Sequence, residues 1–460
     1  MTNVKNATFL RATSPQRLAL ATAILAGAGS ILASGVAQAA DDTSLTWNGV
    51  TLYGTVDIGV AYQNHGAPLS QDFYPGLEYA VAKNSNKSIT TVAPSGLSQS
   101  KVGIRGNEPI NDDLSFVFNA EMGFNPTSGK LADAPASLIH NNGVPLAQQT
   151  AAGDGARAGQ FFNGPASGGF SSKTFGTLLI GRNNTVLLDN VNKYDPMNAS
   201  YAFSPLGYSG LTAGGGNTEL TRLDDSLKYN FKYDMFHFAA LYQFGKTDSS
   251  PGEAWQGDIG FDYAGFSVDG VYAKKKDAIA LSSLSAAQVA LPGVPHDSLA
   301  ATISDNESWT IAASYTNGPW KVSGGYESIT YSNPSLPITS PFSGLGGYYV
   351  SIINNTAFPR DKDFSVTWLG LKYNITKDLD ITGAWYYYDQ SDFGAVPCST
   401  NKAGNCSGNE DFWSARLDYR LTKRFDVYAG FMYSKVSDGL ANGFLNDSTT
   451  TVMTGFRFNF

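Results

Sequence analysis

Few residues in this 460-residue sequence are of types that run covalent or metal chemistry. It has four histidines, and His65, His140 and His296 fall in polar stretches with no nucleophile or ligand partner at a useful spacing. His237 sits in an apolar, alternating segment, where a structural role suits it better. Cys398 and Cys406 close the polar segment CSTNKAGNC. In an oxidising compartment they are expected to form a loop-closing disulfide, because two thiols without a nearby histidine make a poor metal site. No carboxylate spacing specifies calcium, and no cofactor motif is present. What the sequence offers instead is charge in alternation with apolar residues. Lys101 and Arg105 bracket Val102 and Ile104, and the same phase recurs at Lys228, Lys232, Lys321, Lys372, Arg416 and Arg457. Asp57, Glu121 and Asp418 are acids in that phase. Such residues can build an electrostatic surface that attracts or repels ions.

Period-two alternation requires strands with two chemically different faces. The segment VTLYGTVDIGVAY (50–62) places Val50, Leu52, Val56, Ile58, Val60 and Tyr62 on one side. The last twelve residues repeat the pattern, with Val452, Phe456, Phe458 and Phe460 opposite Met453, Gly455, Arg457 and Asn459. Strands are expected at 50–62, 98–106, 113–124, 158–171, 176–183, 224–233, 236–244 and 254–263. Eight more follow at 266–275, 307–316, 319–331, 363–373, 379–390, 410–420, 425–436 and 449–460. Connections alternate between tight turns rich in Asn, Asp, Gly and Lys, such as 234–235, 264–265 and 317–318, and long polar loops. Tight turns on one side and long loops on the other are what an even-stranded antiparallel barrel produces. A soluble sandwich has no reason to segregate loop lengths.

The amino terminus carries the marks of an export signal. Lys5, Arg11 and Arg17 precede an Ala-rich apolar stretch over 18–31, and Ala37-Gln-Ala39 gives a small-x-small cleavage pattern. Residues 1–39 are therefore expected to be removed, leaving 40–460 as one barrel. Loss of three positive charges moves the net charge from −8 to −11, which argues against nucleic-acid partners. No later segment has the run of about 18 apolar residues that a spanning helix needs.

The faces point to a membrane. Leu, Val, Ile and Phe occupy one phase, and Trp309, Trp320, Tyr373, Trp413, Tyr419 and Tyr433 fall near strand ends, as in interfacial girdles. A Lys or Arg on the lipid side would cost about 2–4 kcal/mol at mid-bilayer, so the charged phase must face inward. Lipid cannot satisfy backbone polar groups, so the first strand must pair with the last. Sixteen strands are expected to enclose an aqueous lumen.

Five stretches, VTLYGTVDIG (50–59), SKVGIRGNE (100–108), FVFNAEMGF (116–124), TFGTLLIGR (174–182) and GFRFNF (455–460), together resemble the Gram-negative general porins, especially those of β-proteobacterial type. The resemblance covers essentially the whole mature chain. It implies a 16-stranded transmembrane barrel with short periplasmic turns, a homotrimer in the outer membrane, and a third long loop folded into the lumen. It also implies that Phe456, Phe458 and Phe460 signal to the outer-membrane assembly machinery. The stretch NGPASGG (163–169) departs from the pattern, with Pro and Gly where bulkier alternation is expected.

By that resemblance the constriction loop is 184–222, following Gly181 and Arg182. Its acids Asp189, Asp195 and Glu219 are expected to face a basic side of Lys101, Arg105 and Arg157. Asp57, Glu121, Lys228, Lys321, Arg416, Asp418 and Arg457 are expected to line the rest of the lumen. The function so implied is passive diffusion of small hydrophilic solutes and ions, without catalysis. The alternative is a substrate-specific channel, which a track of inward aromatics would favour; Tyr386, Tyr388 and Tyr428 are its candidates. The basic wall tips the expected ion preference towards anions, since loop acids are screened beyond about 8–10 Å.

Overall fold

In the computed structural model, residues 45–66, 85–150, 159–206, 221–245, 252–338, 341–398 and 402–460 are described. The expected export segment, Arg157, Glu219 and Gly214 to Gly216 lie outside them. Sixteen strands form one closed antiparallel wall. The first eight are Val50–Gln63, Lys101–Pro109, Leu114–Gly123, Ala166–Ser172, Gly176–Asn184, Arg222–Tyr233, Phe236–Gln243 and Ala254–Tyr263. The others are Phe266–Ser282, Leu299–Asn317, Trp320–Ser332, Lys362–Asn374, Leu379–Gln390, Gly408–Arg420, Phe425–Val436 and Ser448–Asn459. Each pairs with its sequence neighbours, and Thr55–Gln63 closes the ring against residues 451–459. Closure leaves the wall without an edge, as lipid demands.

Turn chemistry sets the register. In the two-residue turn 264–265, Ala264 and Gly265 have φ of 50° and 81°, the left-handed pair that matches strand twist. The alternation then carries through: Ile104, Leu178, Ile259, Leu369, Leu417 and Phe456 are exposed on the outer side. Lys228, Arg416 and Asp418, of the opposite phase, are buried inside.

Four expected strands differ from those observed. The strand expected at 98–106 runs over Lys101–Pro109, and an unexpected piece, Ile89–Pro94, precedes it; the two pair with the lower and upper halves of Val50–Gln63 across a break at 95–100. The strand expected over 158–171 starts only at Ala166. Pro165 has no N–H to give, and the side chain of Asn163 takes over ladder bonds, accepting from Gly123 N at 2.7 Å and donating to the Gly123 and Ala132 carbonyls. The hairpin expected to end near 275 and resume at 307 continues to Ser282 and from Leu299, past a register shift between Lys275 and Ala278. Ile279, Leu299, Ala301 and Ile303 bury there with Leu138 of the Ala134–His140 helix and Val350, so the extension has its own core.

A further correction concerns the inner face. Charge is not its uniform content. On the strands from Trp320 to Asn459, Ile329, Val366, Trp368, Tyr386, Phe412, Met432 and Met453 point inward and form the largest apolar cluster. Their partners are Val191, Tyr194, Met197, Phe203 and Leu206, from the connection after Gly176–Asn184.

Candidate functional site

That connection is the expected constriction loop, and it begins with a capped helix. Thr185 accepts a hydrogen bond from Leu188 N at 3.1 Å, and Gln256 on the wall accepts from Val186 N at 2.8 Å. The helix Val186–Tyr194 turns Val186 and Leu187 onto Leu223, Leu241, Val271 and Ala273 of the inner wall. Tyr194 shares a 2.7 Å hydrogen bond with Ser267, and Trp368 donates to the Tyr194 carbonyl at 3.3 Å. Beyond the helix, Arg416 donates to the Met197 carbonyl at 3.0 Å and Ser414 to the Phe203 carbonyl at 2.7 Å. Residues 185–203 thus cross successive strands on their inward side.

The far end of the crossing rests on the break in the second strand. Ala202 N and Ser200 Oγ both donate to the Gly96 carbonyl, at 2.9 and 2.8 Å. The break itself is pinned by Asp57, whose carboxylate accepts from Gly96, Leu97 and Ser98 N–H groups at 2.8–3.0 Å and from the Tyr428 hydroxyl at 2.7 Å. Gly96 is required: a β-carbon there would meet Tyr428 Oη at 2.2 Å. The expected lumen-facing acid Asp57 is fully enclosed and acts as an anchor.

The expected acidic side divides. Asp189 is half exposed and paired with Lys228, a wall residue at the root of the loop rather than one of the expected opposing bases. Asp195 is 2% exposed and accepts from the Tyr386 hydroxyl and the Ala199 amide, each at 2.6 Å. Burial pushes its carboxyl up, against the opposing pull of those hydrogen bonds. It caps the helix against the wall and does not face water. Local chain geometry explains both outcomes: a loop that hugs the wall uses its acids to dock.

The basic side is open. Arg105 is exposed and stacks over the Tyr53 ring at 5.5 Å. Lys101 reaches Glu121 at 2.9 Å, and Tyr53 donates to Asn119 at 2.8 Å and to Glu121 at 3.2 Å. Lys321 lies inward beside Lys372 in register. Arg457 pairs with Asp426 at 2.9 Å, and Asp418 is buried near both. Tyr386, Tyr388 and Tyr428 are 0%, 2% and 3% exposed, so the three aromatic candidates lie under the loop and form no track for a solute.

Sequence reasoning missed several inward groups. Arg182 pairs with Asp224 at 2.5 Å and donates to the Gly164 carbonyl at 3.0 Å. Asp258, Asp262 and Asp269 meet Lys193 and His237. The phase rule would have found these acids, since Ile259 and Tyr263 are outward neighbours. Lys193 carried no such signal, because helix phase in a loop does not reveal which wall the loop will touch.

At the remaining ends, Cys398 and Cys406 are disulfide-bonded. Phe456 and Phe458 are exposed on the outer wall, and Phe460 exchanges backbone hydrogen bonds with Gly54 at 3.0 and 3.1 Å.

Comparison with known proteins agrees with this architecture. The Gram-negative porin family model matches residues 21–439. An outer membrane porin protein of Bordetella pertussis is 26% identical over 372 residues, 80% of this chain and 71% of that protein. The anion-selective porin of Comamonas acidovorans superposes with a TM-score of 0.59 at 18% identity, covering 89% of this chain and 99% of its own. OmpT of Vibrio cholerae gives 0.57 at 14% identity, covering 91% and 99%. Salmonella typhi OmpF, solved with daunomycin, gives 0.52 at 15%, covering 90% and 99%. A closed sixteen-stranded wall with an apolar outer face, an inward loop and this family match have one reading: the chain belongs to the Gram-negative porin family and is a channel of the bacterial outer membrane.

Proposed function

We propose that small hydrophilic solutes and ions diffuse passively beside the docked loop, along the arc of wall it leaves uncovered, and that anions are favoured. The observation that carries the ion preference is an asymmetry of exposure. More inward carboxylates than inward cations are enclosed: Glu121, Asp269, Asp380, Asp418 and Asp426 are 3%, 3%, 0%, 6% and 4% exposed, against Lys228 and Arg416 at 5% each. Arg105 is exposed and the side chains of Lys101 and Lys232 reach water at 33% and 65%, while Asp189 and Asp262 are the more open acids at 49% and 35%. A permeating ion samples the exposed groups most strongly, since charges in contact with water are the ones it approaches. Lys101 and Arg105 are the proposed basic side, joined on sequence grounds by Arg157. Asp189 is the proposed acidic side, with Glu219 on the same grounds. An anion-selective relative in fold accords with this preference.

Reversal potentials of the purified protein in planar bilayers, under a potassium chloride gradient, test the reading. The wild type should prefer chloride, and Arg105→Glu should shift preference towards potassium. An unchanged reversal potential would remove Arg105 from the permeation path.

The assembled state proposed is a homotrimer in outer-membrane lipid, a form recorded for Vibrio cholerae OmpT. Export by a cleaved segment 1–39 and recognition of the terminal Phe456, Phe458 and Phe460 by the barrel assembly machinery complete the proposal. Cross-linking in native membranes tests the trimer, and amino-terminal sequencing of the mature protein tests the cleavage.

A further inference from the structure

We infer that the inner wall holds a transition-metal site, built from His237, Asp258 and Asp269 and occupied in its resting form by the ammonium of Lys193. One ligand atom from each of the three residues lies within 4.8 Å of the other two. They come from three adjacent strands, with Asp258 on the middle strand two residues from the row that His237 and Asp269 share. His237 and Asp269 both pair in register with Gly260, one from each side. A β-carbon on Gly260 would stand 2.0 Å from Asp269 Oδ1 and from His237 Nε2, so the missing side chain lets the two donors converge.

A cation already sits beside these donors. His237 Nε2 faces Asp269 Oδ1 at 2.7 Å, and Nδ1, 3.3 Å from Asp262 Oδ2, is buried without a hydrogen bond. Lys193 Nζ is 3.2 Å from Nε2 and 3.2 Å from both oxygens of Asp269. Asp258 Oδ1 is withdrawn from solvent and has no hydrogen-bond partner, leaving a donor that the ammonium does not use.

Charge balance favours exchange for a dication. With Asp258, Asp262 and Asp269 all ionised, three negative charges face Lys193 and Lys232, and a dication in place of the Lys193 ammonium neutralises the group. One imidazole and two carboxylates are a donor set that suits zinc or nickel better than magnesium or calcium. Access is available, because the three ligands and Lys193 line a cleft of 490 Å³ that also touches Asp189 and Asn190.

Isothermal titration of the full-length protein in detergent with zinc chloride tests the site, with magnesium chloride as the control cation. The wild type should bind one zinc per chain saturably and magnesium far more weakly. Lys193→Met removes the resident competitor and should tighten zinc binding by up to about tenfold. His237→Gln and Asp269→Asn should each weaken it by at least about 10–100-fold. Asp258→Asn is the second route should either fail to fold, with folding read from heat-modifiable gel mobility. An ordinary imidazolium–carboxylate pair would give no saturable zinc binding in the wild type and overturns the inference. Binding seen only in Lys193→Met, or binding that survives His237→Gln with Asp269→Asn, overturns it equally.

Discussion

Two arcs of the same wall obey the same alternation and use it differently. From Trp320 to Asn459 the inward phase carries Ile329, Val366, Trp368, Tyr386, Phe412 and Met432, all enclosed beneath the crossing loop. From Val50 to Tyr233 the inward phase carries Tyr53, Lys101, Arg105, Asn119, Arg182 and Lys228, joined by hydrogen bonds and ion pairs. Strand geometry is not the difference. The loop is, because residues 191–206 supply a second apolar surface mainly to one arc and reach the other only at Ala61, Ala93 and Leu97. An inward position therefore has no fixed chemistry; it takes that of whatever lies across from it.

The sharpest way to break this comparison is to remove the loop's mooring on the enclosed arc. Trp368 is 1% exposed, packs in the central cluster and donates to the loop backbone. Trp368→Ala should cost about 3–5 kcal/mol, by loss of buried area and by the cavity it leaves. Thermal unfolding followed by circular dichroism should report the loss, and single-channel records should show a noisier, larger conductance. A quiet channel of wild-type size would mean that the loop is held without this packing.

A somewhat smaller effect is expected at the far mooring. Asp57→Ala strands three backbone N–H groups and the Tyr428 hydroxyl in a buried setting, at about 2–4 kcal/mol after partial relaxation. Limited proteolysis should then open the 95–100 break and the loop together, since Gly96 joins them. Cleavage at one without the other would uncouple the two segments. The smallest effect belongs to the open arc. Tyr53→Phe removes hydrogen bonds to Asn119 and Glu121 and should cost about 0.5–1.5 kcal/mol, with channel noise unchanged. Noise as large as that of Trp368→Ala would erase the distinction between the arcs.

Much of the wall was legible in the chain. Alternation is local, so Val102 and Ile104 against Lys101 and Arg105 placed that strand's two faces without tertiary knowledge. Turns such as 264–265 were legible because φ preferences are local too. The limits appear where a strand borrows a distant partner. The extension over 276–282 forms because Ile279 meets Leu138, 141 residues earlier in the chain. Likewise, the segments 364–371 and 384–388 carry apolar or aromatic residues in both phases, a mark of strands covered on two sides that was available and unused.

The site divides along the same line. The amino-acid order by itself determined an exported chain whose strands place apolar and polar side chains on opposite faces, with tight turns at one end and long loops at the other. Those features follow from chain stereochemistry and the cost of exposing polar groups to lipid. Only the tertiary structure decided that Asp195 is a buried cap, that Asp189 answers Lys228, and that Lys193 reaches His237 and Asp269. Each of these depends on where a loop comes to rest after the wall closes, and that position is set by contacts between residues far apart in sequence.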